Sequence, residues 1–399
     1  MFENTLILAA VLLSAFILMM PRLAKSTGWR ATITPLASII GSGFLVLGPI
    51  LNASYGKYAP LVMAGLCGVA FLFGAAIRYN ISAIDTAPKE RSPIELKLET
   101  VASWALAFAY IISVAYYLNL FGAFGVSLTT VQDSFHANLL TTAMFLLILM
   151  VGWIRGYGAL EHMEQVFVGV KLAVIAGLLV GLAVFFVKKV SGGALEFNPP
   201  TQSGWAGITL AFGLIVTVQG FETSRYLGDE YSAKVRISSM RRAQYISGAI
   251  YMIYIGFLAY VFHSSTIALD ETAIIDMMAI IAPILPLLLV AAALSAQFSA
   301  AIADTSGAGG LFAEVTKNKL KPNQAYALLV GMGIVLTWTA NVFEIISYAS
   351  RAFAIYYAIQ SLIAAVRAWH LQRFGKALLF FALFILAIAI VIFGVPVEG

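Results

Sequence analysis

Long apolar runs separated by short polar loops recur from one end of the chain to the other. A helix needs about 20 apolar residues to cross a bilayer. On that measure the pattern predicts twelve spans, over roughly 5–20, 32–51, 59–79, 101–127, 137–154, 164–187, 206–227, 243–263, 280–308, 324–341, 343–367 and 376–394. The longest polar stretch, Ser82 to Glu99, is too short for a soluble domain. Residues 1–399 therefore read as one all-α polytopic membrane domain. The first run has no basic segment before it and no clear small-residue cleavage site, and Arg22, Lys25 and Arg30 follow it. It reads as a retained span, not a signal peptide.

Two of these runs are interrupted near their middles. One carries Ile40-Gly41-Ser42-Gly43-Phe44 and the other Gln219-Gly220-Phe221-Glu222. Unwound backbone at membrane depth survives only where it is buried in protein or lines a cavity. Paired interruptions at corresponding places in two halves of a chain point to the binding site of a secondary transporter. Setting the first span aside, helices 1–5 cover 32–187 and helices 6–10 cover 206–367. Five helices per half invert the second half relative to the first, and each half opens on its broken helix. The expected architecture is a five-plus-five inverted repeat, with one extra span before it (5–20) and a peripheral one after it (376–394).

Composition agrees: 61% of residues are hydrophobic and 11% charged, too apolar for an ordinary soluble domain. Charge adds orientation. Under twelve spans, nineteen of the 24 lysines and arginines fall on one side and only Lys57, Lys188 and Lys189 on the other, with Lys171 and Arg351 inside spans. Basic loops stay in the cytoplasm, so both termini are expected outside, in a plasma (cell inner) membrane. The net charge of +5 reflects this topology and not nucleic-acid binding. The single cysteine, Cys67, forms no intrachain disulfide. Nothing in the sequence sets an oligomeric state.

The chemistry lies at the breaks and at the few intramembrane charges. Past Gly41-Ser42-Gly43 an outer half-helix is expected to begin near Phe44, its free amides suited to a carboxylate; small-residue helix packing is the alternative. In helix 6 the outer half is expected to end near Gln219-Gly220, where free carbonyls and Glu222 can receive an ammonium group. A charged residue at that depth costs about 2.5–3.5 kcal/mol on the lenient insertion scale. Glu222 can bind a substrate amine, carry a proton or pair with a basic side chain. Lys171 in helix 5 either snorkels or faces inward, as a proton-coupling element or a stand-in for a sodium ion. Asp304 in helix 8 lies at a similar depth and can pair or share a proton with it. Arg351 reads as a gate residue, a substrate-carboxylate contact or a partner of Glu344. Ser295 and Ser299 either join an ion site or bond back to their own helix. Tyr110, Tyr116 and Tyr117 line the pocket or simply pack. Glu161-His162-Met163-Glu164 looks metal-like but reads as a solvated turn, and no metal site or resident cofactor is expected beyond protons or sodium. No nucleotide-binding loop, hydrolase motif or zinc spacing is present, so the chain is not read as an enzyme.

Ile39 to Phe44 resembles the helix 1 motif of the amino acid–polyamine–organocation permeases. Ser103-Trp104 through Tyr117 is similar to their helix 3, Gly152 to Gly158 with Val170-Lys171-Leu172 to their helix 4–5 stretch, and Gly220-Phe221-Glu222 with Gly228-Asp229-Glu230 to their helix 6. The likeness covers about residues 30–367. It implies a leucine-transporter-like fold, with Ser42 and its neighbouring amides holding a substrate carboxylate and Glu222 beside the substrate. It implies that Lys171 contacts helix 1 in proton coupling or sodium independence, and that the second acidic pair caps the cytoplasmic end. The span before helix 1, Asp304, Arg351, and Val216 in place of a gating aromatic all depart from the family pattern. The implied function is alternating-access transport of an amino acid, amine or related small organic molecule across the lipid bilayer. It is expected to be proton-coupled or an exchange, the alternatives being sodium symport or a non-transporting membrane sensor.

Overall fold

In a computed structural model the chain is described throughout except for residues 1, 42, 87–91, 156, 228–230, 264–268 and 398–399, and except for the side chains of residues 2, 84–86, 154–155 and 157–166. Ser42 and Gly228-Asp229-Glu230 therefore lie outside the described residues. The described residues form fifteen α-helices with short 3-10 turns between some of them. Numbered in chain order, these are α1 (Phe2–Met19), α2 (Pro21–Ala24), α3 (Thr27–Ile39), α4 (Gly43–Tyr55), α5 (Ala59–Thr86), α6 (Pro93–Val126), α7 (Ser134–Arg155), α8 (Tyr157–Ser191), α9 (Gly204–Gly213), α10 (Ala233–Leu258), α11 (Ala273–Ile281), α12 (Leu285–Val315), α13 (Pro322–Thr339), α14 (Val342–His370) and α15 (Phe374–Phe393).

Seven helical stretches among the described residues are long and apolar enough to cross a bilayer, fewer than the twelve spans read from the pattern. The shortfall has physical causes. The N-terminal apolar helix is short, Glu3–Met19. The expected spans 32–51 and 206–227 are each broken in two. The helix α10 opens with Lys234, Arg236, Arg241 and Arg242, and α13 opens on Asn323 and Gln324. The Glu161 to Glu164 stretch, expected as a turn, lies within α8.

The layering follows from which helices are buried. The best apolar window of α6 is 72% buried, whereas those of α7 and α15 are 28% buried. The centre is therefore α6 packed on α12 and α14, with α15 outside α14 and α1 laid along α8. Helix ends are fixed locally. Ser92 with Glu95, and Asn341 with Glu344, form reciprocal caps at the starts of α6 and α14. Pro49 within α4 cannot donate to the carbonyl one turn back. The Tyr254 hydroxyl of α10 reaches that carbonyl, Leu45 O, at 3.4 Å.

Candidate functional site

Between α3 and α4 the backbone leaves the helix at Ile40, with φ −83° and ψ 51°. The next helix begins at Gly43, one residue before the expected Phe44. The second break is longer than expected. The helix α9 stops at Gly213, not near Gln219, and a 3-10 turn runs over Ile215–Val218. Four consecutive β-branched residues, Ile215-Val216-Thr217-Val218, crowd the preceding turn and weaken an α-helix there. After the extended Gln219, Gly220 takes φ +115° and a second 3-10 turn covers Phe221–Tyr226. That φ is open to glycine and strained for other residues.

The two breaks lie directly against each other. A Cβ on Gly43 would stand 2.7 Å from Thr217 Cα, and one on Gly220 would stand 2.6 Å from the Ser38 carbonyl carbon. Such broken backbone needs partners for its polar groups, and long-range side chains supply them. The Tyr251 hydroxyl of α10 donates to both Ile39 O (3.0 Å) and Thr217 O (2.6 Å), one carbonyl from each break. Ser350 of α14 donates to Gly213 O at 2.6 Å and accepts the Val216 N–H at 3.1 Å. Lys171, fully buried in α8, donates to Ala37 O at 2.6 Å, near the end of α3. Gln219 donates to the Tyr117 hydroxyl at 2.8 Å.

Glu222 is fully buried. Its Oε2 accepts the Gly220 N–H at 3.0 Å and the Tyr357 hydroxyl at 3.1 Å. Its Oε1 has no hydrogen-bond partner among the described residues, and no ion pair to it occurs among them. Pairing with a basic side chain, one of the three roles open to it, is thus not observed there. The Phe221 ring stacks on Tyr357 at 5.3 Å. Asp304 of α12 is buried and takes a hydrogen bond from Ser113 of α6. Tyr110 of α6 is buried, its ring 6.0 Å from that of Phe353 of α14. Tyr116 is buried with its ring 5.2 Å from that of Tyr117.

Other expected site residues sit differently. The Arg351 guanidinium binds the Gly394 carbonyl just beyond α15, its Nε at 3.1 Å, and not Glu344, which is committed to capping α14. Ser295 and Ser299 bond back to Ala291 O and Ala296 O of their own helix, at 2.7 and 3.1 Å. No cluster of three or more metal-binding side chains occurs among the described residues.

Sequence reasoning missed Tyr251, Ser350 and Tyr357, and also a second lock. Arg225, at the end of the second break, pairs with Glu99 of α6, and Arg236 of α10 donates to Arg225 O at 2.7 Å. This ties the Glu222 half of the broken helix to two neighbours. Among the described residues, Ile40, Gly41, Phe44 and Lys171 border a cavity of about 10 Å³, room for a single water at most. A larger cavity of about 730 Å³ opens past the other end of α4, between Ser54 and α9.

A multi-span all-α bundle with two apposed helix breaks and a buried, partly unpartnered carboxylate has the build of a membrane transporter. A family model described as an APC superfamily transporter matches residues 21–394. An uncharacterized protein of Aquifex aeolicus (strain VF5) is 41% identical over 384 residues, which are 95% of this chain and 93% of that protein. The chain belongs to the APC superfamily of transporters, and so is a multi-pass membrane permease and not an enzyme.

Proposed function

We propose that the chain moves an amino acid, an amine or a related small organic molecule by alternating access, driven by protons or by exchange. The observation that carries this reading is Glu222, fully buried where the two breaks meet, with one oxygen unpartnered among the described residues. A carboxylate so placed is expensive in a membrane and kept for use: it can receive an ammonium group or take up a proton. The fold reading is twelve spans with a five-plus-five inverted repeat over 32–187 and 206–367. Both termini lie outside, and the Glu99–Arg225 pair faces the cytoplasm of the cell. The amides after Gly41 and Ser42 meet a substrate carboxylate and the Gln219-Gly220 backbone meets an amine.

In this conformation Gly43 rests on Thr217 and Gly220 on Ser38, so substrate enters only when the breaks separate. Lys171, on the Ala37 carbonyl, holds the end of α3 with a fixed ammonium. That favours proton coupling or exchange over sodium symport. The test is uptake into liposomes of a labelled panel of amino acids and amines, with an imposed proton gradient or an imposed sodium gradient. Uptake driven by the proton gradient, or counterflow without either gradient, is the expected result. Uptake that requires sodium and ignores pH would refute the coupling.

A further inference from the structure

Residues 394–397, just beyond α15, stay against the bundle. They fold back across the end of α9, and Val397 is buried. The Val395 N–H donates to Thr209 O of α9 at 3.1 Å. The contact is close enough that a Cβ on Gly213 would stand 1.9 Å from Val395 O. Two adjacent residues of α14 hold the two partners of this contact. Ser350 binds Gly213 O and Val216 N on the α9 side. Arg351 binds Gly394 O on the α15 side. Thr209 and Val395, the two ends of the backbone hydrogen bond, also line the 730 Å³ cavity, together with Ser54, Thr201 and Val397.

We propose that residues 394–397 are a strap that holds α9 shut against α14 and α15, with Arg351 as the positioning residue that anchors it. Under the alternating-access reading above, on which this rests, α9 is the outer half of the second broken helix, so opening the site outward requires the strap to release. Three contacts make the strap: a backbone hydrogen bond, a guanidinium bond and the packing on Gly213. Two of them bear directly on α9, a helix of only 10 residues, too short to be stable by itself, and the third anchors the strap to α14. A half-helix of this length depends on what packs on it and bonds to it. The strap also gives Arg351 a place that its charge alone did not reveal. An arginine inside a span needs acceptors, and a helix-end carbonyl is one.

The test needs no substrate. Amide hydrogen exchange is followed by mass spectrometry on the full-length purified chain and on variants: Arg351→Gln, Arg351→Lys, and a chain ending after Gly394. A thiol reporter, Ser54→Cys in a Cys67→Ala background, gives the labelling rate with a membrane-impermeant maleimide. With the strap lost, amides of α9 exchange about tenfold faster, the factor set by about 1.4 kcal/mol. Ser54→Cys then labels faster to a similar degree, while α12 amides keep their wild-type rates. Arg351→Lys restores part of the protection, since one donor still reaches Gly394. A Thr209→Cys/Val395→Cys pair in the Cys67→Ala background, once oxidised, slows α9 exchange below wild type, and reduction reverses it.

Unchanged α9 exchange after strap removal would overturn the proposal. So would equal acceleration of α9 and α12, which would mark general loosening. Absence of transport in liposomes would count against the proposed function and leave these rates untouched.

Discussion

Replacing Tyr251 with phenylalanine removes one oxygen and unties both breaks. The Tyr251 hydroxyl is fully buried and serves Ile39 O at 3.0 Å and Thr217 O at 2.6 Å. Both carbonyls belong to segments where the α-helical ladder is interrupted, so they have few other partners. Interhelical hydrogen bonds in membranes are worth about 0.6 kcal/mol on average and up to about 1.7 kcal/mol. A buried acceptor left unpaired costs about 1–3 kcal/mol. With two carbonyls sharing one donor, Tyr251→Phe is expected to cost about 2 kcal/mol. Tyr254 provides an internal comparison, one turn further along α10. Its hydroxyl reaches a single carbonyl, Leu45 O, at 3.4 Å, beyond the range of a strong hydrogen bond. Tyr254→Phe is expected to cost about 0.6 kcal/mol. Equilibrium unfolding in mixed micelles, by titration of a denaturing detergent, measures both. If the two substitutions cost the same, or Tyr251→Phe is neutral, Tyr251 is not what holds the breaks together.

Gly220→Ala places a Cβ on a residue at φ +115° and 2.6 Å from Ser38 backbone; strain of about 1–3 kcal/mol plus the clash should abolish folded expression. Gly256→Ala, with nothing within 4 Å, should be neutral or stabilise by up to about 1 kcal/mol, as read by thermal unfolding. Glu99→Gln and Arg225→Gln each break a largely buried ion pair, whose side chains are 21% and 5% exposed. Each should destabilise by about 1–3 kcal/mol, and the double variant by less than the sum, which a double-mutant cycle measures. Glu271 lies in the loop before α11, and burial first, then neighbouring Asp270, raise its carboxyl above the ordinary 4.5. A raised carboxyl favours the folded state fully below its unfolded value, and that stability fades as pH rises through the folded value. Glu271→Gln should therefore flatten the fall in stability just above about pH 4.5, followed by thermal unfolding across that range.

How much of this could be read from the sequence depends on the range of the interaction. The breaks were legible because glycine at Gly41, Gly43 and Gly220 is local information, and so was the isolation of Lys171 and Glu222 in apolar runs. The early end of α9 had a local signal too, the β-branched run after Leu214, which was outweighed by the more conspicuous Gln219-Gly220. The partners were not legible. Tyr251 finds Ile39 across 212 residues, Ser350 finds Gly213 across 137, and Arg225 finds Glu99 across 126. A tyrosine that closes a break looks in sequence like any tyrosine packed in a bundle. Arg351 was readable as a charge in need of a partner, but the partner is a backbone carbonyl beyond α15, which carries no side-chain signal at all.

Ligand-dependent stabilisation of the purified protein tests the central claim, that the junction of the two breaks is the substrate site. The chain is screened by thermal shift against amino acids, amines and small carboxylates, at about pH 5.5 and about pH 7.5, on either side of neutrality, with and without sodium. A ligand at about 100 times its dissociation constant stabilises by about 2.7 kcal/mol. The account predicts a hit that Glu222→Gln weakens or uncouples from pH. A hit that persists unchanged in that variant, or no hit anywhere in the panel, would contradict it.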